Sequence, residues 1–161
     1  MVNEQGLTMY TDGAARGNPG RGGYGTILMW KGKAKELSAG YRHTTNNRME
    51  LMSVIAGLEA LNRHALDIVV YSDSQYVVKA VTEGWLENWI HNNFKGGKKN
   101  PDLWRRFYEL SKKHRIRFQW VRGHAENPYN NRCDELATSA ADGHHLLIDE
   151  YYEAGTNELI D

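Results

Sequence analysis

The chain has 161 residues, 40% apolar and 25% charged, which suits one folded domain of ordinary size and excludes wholesale disorder. No apolar run is long enough to span a membrane, and the single cysteine, Cys133, excludes an internal disulfide or a Cys-based zinc cluster. Formal charge is zero, yet residues 1–132 carry all 20 basic residues against 12 acids, while 133–161 carry eight acids and no Lys or Arg. Met1 to Tyr10 has neither a basic start nor an apolar stretch, so no secretory signal is expected and a reducing cytoplasm is the expected address.

In chain order, Leu7 to Tyr10 reads as a strand that Asp12 ends, followed by the glycine-rich run Gly17 to Gly23. Tyr24 to Trp30 and Glu36 to Arg42 read as two further strands around Lys31-Gly32-Lys33, an antiparallel meander. After Thr44-Thr45-Asn46-Asn47 the period changes: Leu51, Val54, Ile55 and Leu58 share one face of an amphipathic helix started by the Thr/Asn cluster. Asp67 to Ser72 is a buried strand, and Ser74 to Thr82 a helix that Gly84 breaks. Trp85 to His91 is a short helix, Phe94 to Pro101 a loop, Asp102 to His114 a helix and Ile116 to Val121 a strand. Gly123 to Tyr129 is a loop, and a last helix from Asn130 places Cys133, Leu136, Ala137 and Ala140 on its apolar side. This alternation predicts a mixed α/β sheet with helices on both faces, one domain over 1–148 and a loosely ordered acidic tail over 149–161.

Residues 95–122 hold ten basic residues against Asp102 and Glu109, which suits either a solvated helix face or a surface that attracts a polyanion. Four acids fall at strand ends and helix starts: Asp12, Glu50, Asp73 and Asp134. Each has an ordinary explanation in a turn, a cap or a helix dipole. Together they converge on the side of an α/β sheet where sites form, and clustered carboxylates call for a hard divalent cation with oxygen ligands. Two such ions about 4 Å apart would hold the attacking and leaving oxygens of a phosphodiester displacement.

The segments Tyr10-Thr11-Asp12-Gly13, Gly17-Asn18-Pro19-Gly20, Gly22-Gly23-Tyr24-Gly25 and Thr44 to Leu51 resemble ribonuclease H, and specifically the bacterial type 1 enzyme. So do Ser72-Asp73-Ser74-Gln75-Tyr76-Val77, Trp89-Ile90-His91-Asn92, Gly123-His124-Ala125 and Arg132 to Ala137; the resemblance covers about residues 7–142. It implies the ribonuclease H-like fold, a five-stranded mixed sheet of three antiparallel strands then two parallel. It also implies an endonuclease that cuts the RNA strand of RNA–DNA hybrids, leaving 5′-phosphate and 3′-hydroxyl ends; a monomer is expected because the sequence shows no exposed heptad or long apolar edge. By motif, Asp12, Glu50, Asp73 and Asp134 are the catalytic, metal-binding acids, serving two Mg²⁺ ions with Mn²⁺ as a substitute, and His124 assists proton transfer or product departure. Asn18, Asn46, Gln75 and the Gly13 amide are implied to read the minor groove and its 2′-hydroxyls. Thr45, with Arg48 as a further candidate, is implied to meet a DNA phosphate, and Trp85 and Trp89 to line the DNA channel.

Three features depart from the family pattern. The basic protrusion after the tryptophan helix shrinks to Phe94–Asn100, Glu126 stands where the family often has glycine, and the acidic tail has no obvious counterpart. A hybrid-binding module without catalysis would not need four intact acids. A phosphate-loop enzyme would need a Gly-Lys-Ser/Thr ending that this chain lacks, and an integrase-like transferase would carry DNA-binding extensions.

Overall fold

The structure is a computed structural model describing residues 6–122 and 127–160, the side chains of 156–160 excepted. Its elements run β1 (Gly6–Arg16), β2 (Gly20–Trp30), β3 (Lys33–Thr44), α1 (Asn46–Glu59), β4 (Asp67–Ser72), α2 (Gln75–Thr82) and α3 (Trp85–His91). They continue as α4 (Pro101–Ser111), β5 (Arg115–Trp120), α5 (Pro128–Ala141), β6 (Leu146–Leu147) and α6 (Glu150–Ile160). The sheet order is β5-β4-β1-β2-β3-β6, with β1, β2 and β3 antiparallel and β4 and β5 parallel to β1. The expected mixed sheet is present with one addition: the two-residue β6 pairs with β3, too short a segment to leave a periodic signal.

Alternation along the central strands assigns each helix its face. On β2, Gly22 and Thr26 lie against Met49 and Gly57 of α1, whereas Gly23 and Gly25 lie against Ala137 and Cys133 of α5. Met9, Val54, Ile55, Leu58, Ile68 and Val70 form a fully buried core under α1. Trp104 and Phe107 of α4 extend this core to an aromatic cluster with Tyr76, Trp89 and Phe94, and the Trp104 indole N–H donates to the Tyr76 hydroxyl at 2.8 Å.

The first strand, expected to end at Asp12, runs further. β1 continues past Asp12 to Arg16, β2 begins at Gly20, and only Gly17–Pro19 turn between them. A Cβ at Gly23 or Gly25 would meet the backbone carbonyls of α5, so these glycines let that helix lie against the sheet.

The expected loose tail is instead the docked helix α6. Asp149 is buried and accepts from the Thr44 hydroxyl at 2.7 Å and from Arg48 at 2.7 and 2.9 Å; its carboxylate also accepts the Tyr152 N–H. Glu153 pairs with Arg42, and Tyr151 lies against the Arg48 guanidinium. Polar anchoring of this kind carries no hydrophobic periodicity, which is why the sequence reads as a tail. Among the described residues, no helix is long and apolar enough to cross a membrane.

Candidate active site

Asp12 sits inside β1, opposite Gly25 of β2, and points to the α5 face. Glu50 lies one turn into α1, whose cap is Thr45: the Thr45 hydroxyl accepts the Arg48 N–H at 3.2 Å. Asp73 follows β4 and precedes Ser74, which caps α2 by accepting the Val77 N–H. Capping therefore falls to Thr45 and Ser74, and the acids beside them are free for other work. Asp134 stands in the second turn of α5.

These elements bring Asp12, Glu50 and Asp73 together so closely that one oxygen from each lies within 4.8 Å of the others. Asp134 joins them in a cavity of about 240 Å³ that Gly13, Asn46, Arg122, Asn130 and Asn131 also line. A side chain at Gly13 would collide with the Met49–Glu50 backbone, so glycine there lets α1 approach the strand. The Gly13 N–H donates to Glu50 Oε1 at 2.5 Å and to Asp12 Oδ1 at 2.9 Å. That amide, expected to face substrate, is engaged within the acid cluster.

Crowding shows in the proton affinities. Burial, then the Asp73 and Asp134 charges, push the Asp12 carboxyl up to about 7. Burial, then the Asp12 and Asp73 charges, hold Glu50 well above the usual carboxylate range. Among the described residues, no Lys or Arg forms an ion pair with any of these acids. An all-oxygen donor set of buried, mutually repelling carboxylates fits a hard divalent cation.

The substrate-reading positions divide by environment. Asn46 borders the cavity, and its N–H donates to Asn18 Oδ1 at 3.0 Å, which ties the exposed β1–β2 turn to the start of α1. Gln75 is exposed at the start of α2, and Trp85 is exposed at the start of α3. Trp89 is half-buried between Tyr76, Phe94 and Trp104, a packing position. Arg48 is buried and its guanidinium is occupied by Asp102, Asp149 and the Asn100 amide oxygen, so it has no donor to offer a DNA phosphate. His124 and Glu126 lie outside the described residues. Sequence reasoning did not single out Arg122, Asn130 or Asn131; the one available signal was the i−4 spacing of Asn130 from Asp134.

A carboxylate cavity open at the junction of β1, β4, α1 and α5 defines a metal-dependent hydrolase on a mixed α/β sheet. The family model for RNase H matches residues 4–142. The ribonuclease H of Desulforamulus reducens is 51% identical over 152 residues, covering 92% of this chain and 95% of that protein. The ribonuclease H of Lachnoclostridium phytofermentans is 53% identical, covering 91% and 99%. Among solved structures, LC9-RNase H1, described as a type 1 RNase H with the type 2 active-site motif, superposes with a TM-score of 0.79 at 27% identity, covering 95% of this chain and 82% of that one. The chain belongs to the ribonuclease H family and has that family's activity, hydrolysis of the RNA strand in RNA–DNA hybrids.

Proposed function

We propose that Asp12, Glu50, Asp73 and Asp134 hold two Mg²⁺ ions, with Mn²⁺ as a substitute, and that they carry the cleavage of hybrid RNA to 5′-phosphate and 3′-hydroxyl ends. The meeting of three carboxylate oxygens within 4.8 Å carries this reading. Magnesium bound there supplies Lewis acidity, lowering the pKa of water and stabilising the departing 3′-oxygen. The protein's part is to hold four acids rigidly: Asp12 on a central strand, Glu50 and Asp134 on helices packed against opposite faces, and Asp73 between β4 and α2. His124 is assigned by motif as the proton carrier.

The neighbouring polar groups support substrate choice. With Asn18 Oδ1 occupied by the Asn46 amide, the Asn18 NH₂ remains as a donor, and the Asn46 and Gln75 side chains can both donate and accept toward a 2′-hydroxyl. The Thr45 oxygen accepts from Arg48, leaving its O–H to donate to a DNA phosphate. Exposed Trp85, with Lys95, Lys98 and Lys99, offers a stacking face and positive charge to the DNA strand. The working unit is a cytoplasmic monomer.

Cleavage of an end-labelled RNA strand in a hybrid, with Mg²⁺ and with EDTA, tests the assignment, with duplex RNA and duplex DNA as controls. Internal cuts confined to the hybrid, dependent on metal and ending in 3′-hydroxyls are expected. Hybrid binding without cutting, in Mn²⁺ as well, would replace the enzyme with a binding module. In the same assay His124→Ala should slow turnover without erasing it, and unchanged kinetics at every pH would remove His124 from the mechanism.

A further inference from the structure

Asn130 forms part of the wall of the acid cavity, one helical turn before Asp134 on the same side of α5. It does not cap that helix. Asn127 does, its Oδ1 accepting the Tyr129 N–H at 2.9 Å and the Asn130 N–H at 3.3 Å. The backbone at Asn130 is thus satisfied, but its side-chain amide is closed off from bulk solvent, and neither Nδ2 nor Oδ1 has a partner among the described residues. Buried amides unmet at both ends are rare, because desolvating a donor and an acceptor without replacement is costly. Exchanging the positions of the nitrogen and oxygen would not change this, since both are unmet. Among the described residues nothing meets this amide, and the cavity it borders can supply its partner.

The chemistry of the surroundings narrows what that partner is. Asp12, Glu50, Asp73 and Asp134 are acceptors when ionised, whereas a phosphodiester brings non-bridging oxygens that also only accept. Arg122, Asn46 and Asn131 border the same cavity as donors, and Asn130 is distinguished from them by a buried amide with no partner among the described residues. A Lys or Arg at position 130 would pair with the acids, but an uncharged NH₂ group supplies the donor and leaves them free. We propose that Asn130 positions the scissile phosphate of the RNA strand, Nδ2 donating to one non-bridging oxygen and Oδ1 accepting from a water in the same cavity. This inference rests on the hydrolytic reading of that cavity and adds a substrate contact to it.

The test compares the unaltered chain with Asn130→Ala and Asn130→Asp on hybrids carrying sulfur in place of either non-bridging oxygen at one cleavage position. Losing a hydrogen bond to a charged oxygen should lower kcat/KM about tenfold to a hundredfold in Asn130→Ala. Asn130→Asp should lose more, since it presents a carboxylate to the phosphate. Sulfur at the contacted oxygen should slow the unaltered chain and have little further effect on Asn130→Ala, where the bond is already gone. Two readouts do not depend on turnover. Hybrid binding in EDTA, followed by fluorescence anisotropy, should weaken several-fold in Asn130→Ala, and the melting temperature should hold or rise because a buried unmet amide is removed. Equal sulfur effects in both proteins for both oxygens, or a fall in melting temperature that accounts for the lost activity, would overturn the proposal. Failure of the unaltered chain to cut the hybrid would instead remove the hydrolytic reading itself.

Discussion

Asp12 answers two opposed demands: it must be ionised to bind a cation, yet burial and the Asp73 and Asp134 charges lift its pKa from 3.8 to about 7. A carboxyl whose pKa is raised on folding binds its proton more tightly in the native state. Its contribution to stability is therefore greatest below the unfolded pKa and is lost as pH rises from about 4 to 7. Metal-free protein should accordingly lose stability across that window, and a divalent cation should restore it. Asp12→Asn removes the conflict. We expect it to abolish cleavage, retain hybrid binding and stabilise the metal-free protein at pH 7 by up to about 4 kcal/mol, flattening the pH dependence. Thermal melts from pH 4 to 8 with and without Mg²⁺ check this, and an unchanged pH slope in Asp12→Asn would assign the titration elsewhere. At this scale the acids were legible because each sits within an ordered set of motifs. Asn130 was not, because an unmet amide is a property of its surroundings in space, and no residue pattern encodes it.

The seating of α5 on the sheet decides where Asp134 stands. At Gly23, Gly25 and Gly40 an added Cβ would meet the carbonyls of Ala137, Cys133 and Ala140, so three glycines on two strands form the bed for one helix. For Gly25→Ala, relief of glycine's backbone entropy would favour the variant by about 0.5–1 kcal/mol. Overpacking opposes it by about 1–3 kcal/mol, and because the obstacle is backbone and the Leu136 Cβ at 2.7 Å, the upper part of that range applies. Net destabilisation of about 2 kcal/mol is expected in a urea titration, with lower kcat as α5 and Asp134 move off the sheet. A variant as stable and as active as the parent would show that the helix moves away without cost. Periodicity in the sequence located β2 to β5 and α1 to α5 to within a few residues and missed β6 and α6. It ended the first strand at Asp12 because glycine marks both turns and close approach, and only the partner helix distinguishes them.

At the scale of the whole molecule, the acidic C-terminal segment closes the fold onto the basic remainder. Arg48 is the junction: nearly inaccessible, it bonds Asp102 of α4 on one side and Asp149 on the other, and its α1 turn lies between Thr45 and Glu50. The halves with opposite net charge are therefore tied through one guanidinium beside the site. Asp149→Asn leaves Arg48 with Asp102 as its remaining ion pair among the described residues, beside the Asn100 amide oxygen. Breaking a buried pair outright costs about 3–5 kcal/mol, and the surviving partner reduces this to about 2 kcal/mol, or ~4–8 °C in Tm. Glu153→Gln removes an ion pair in which the Arg42 side chain is 56% exposed, and it should shift the midpoint far less. A chain ending at residue 148 should lose at least as much as Asp149→Asn and show a higher KM for hybrid, because the turn carrying Thr45 and Asn46 loses its brace. A free tail would predict no change in either quantity. Melting curves and hybrid titrations of the full and shortened chains therefore decide whether α6 belongs to the working fold.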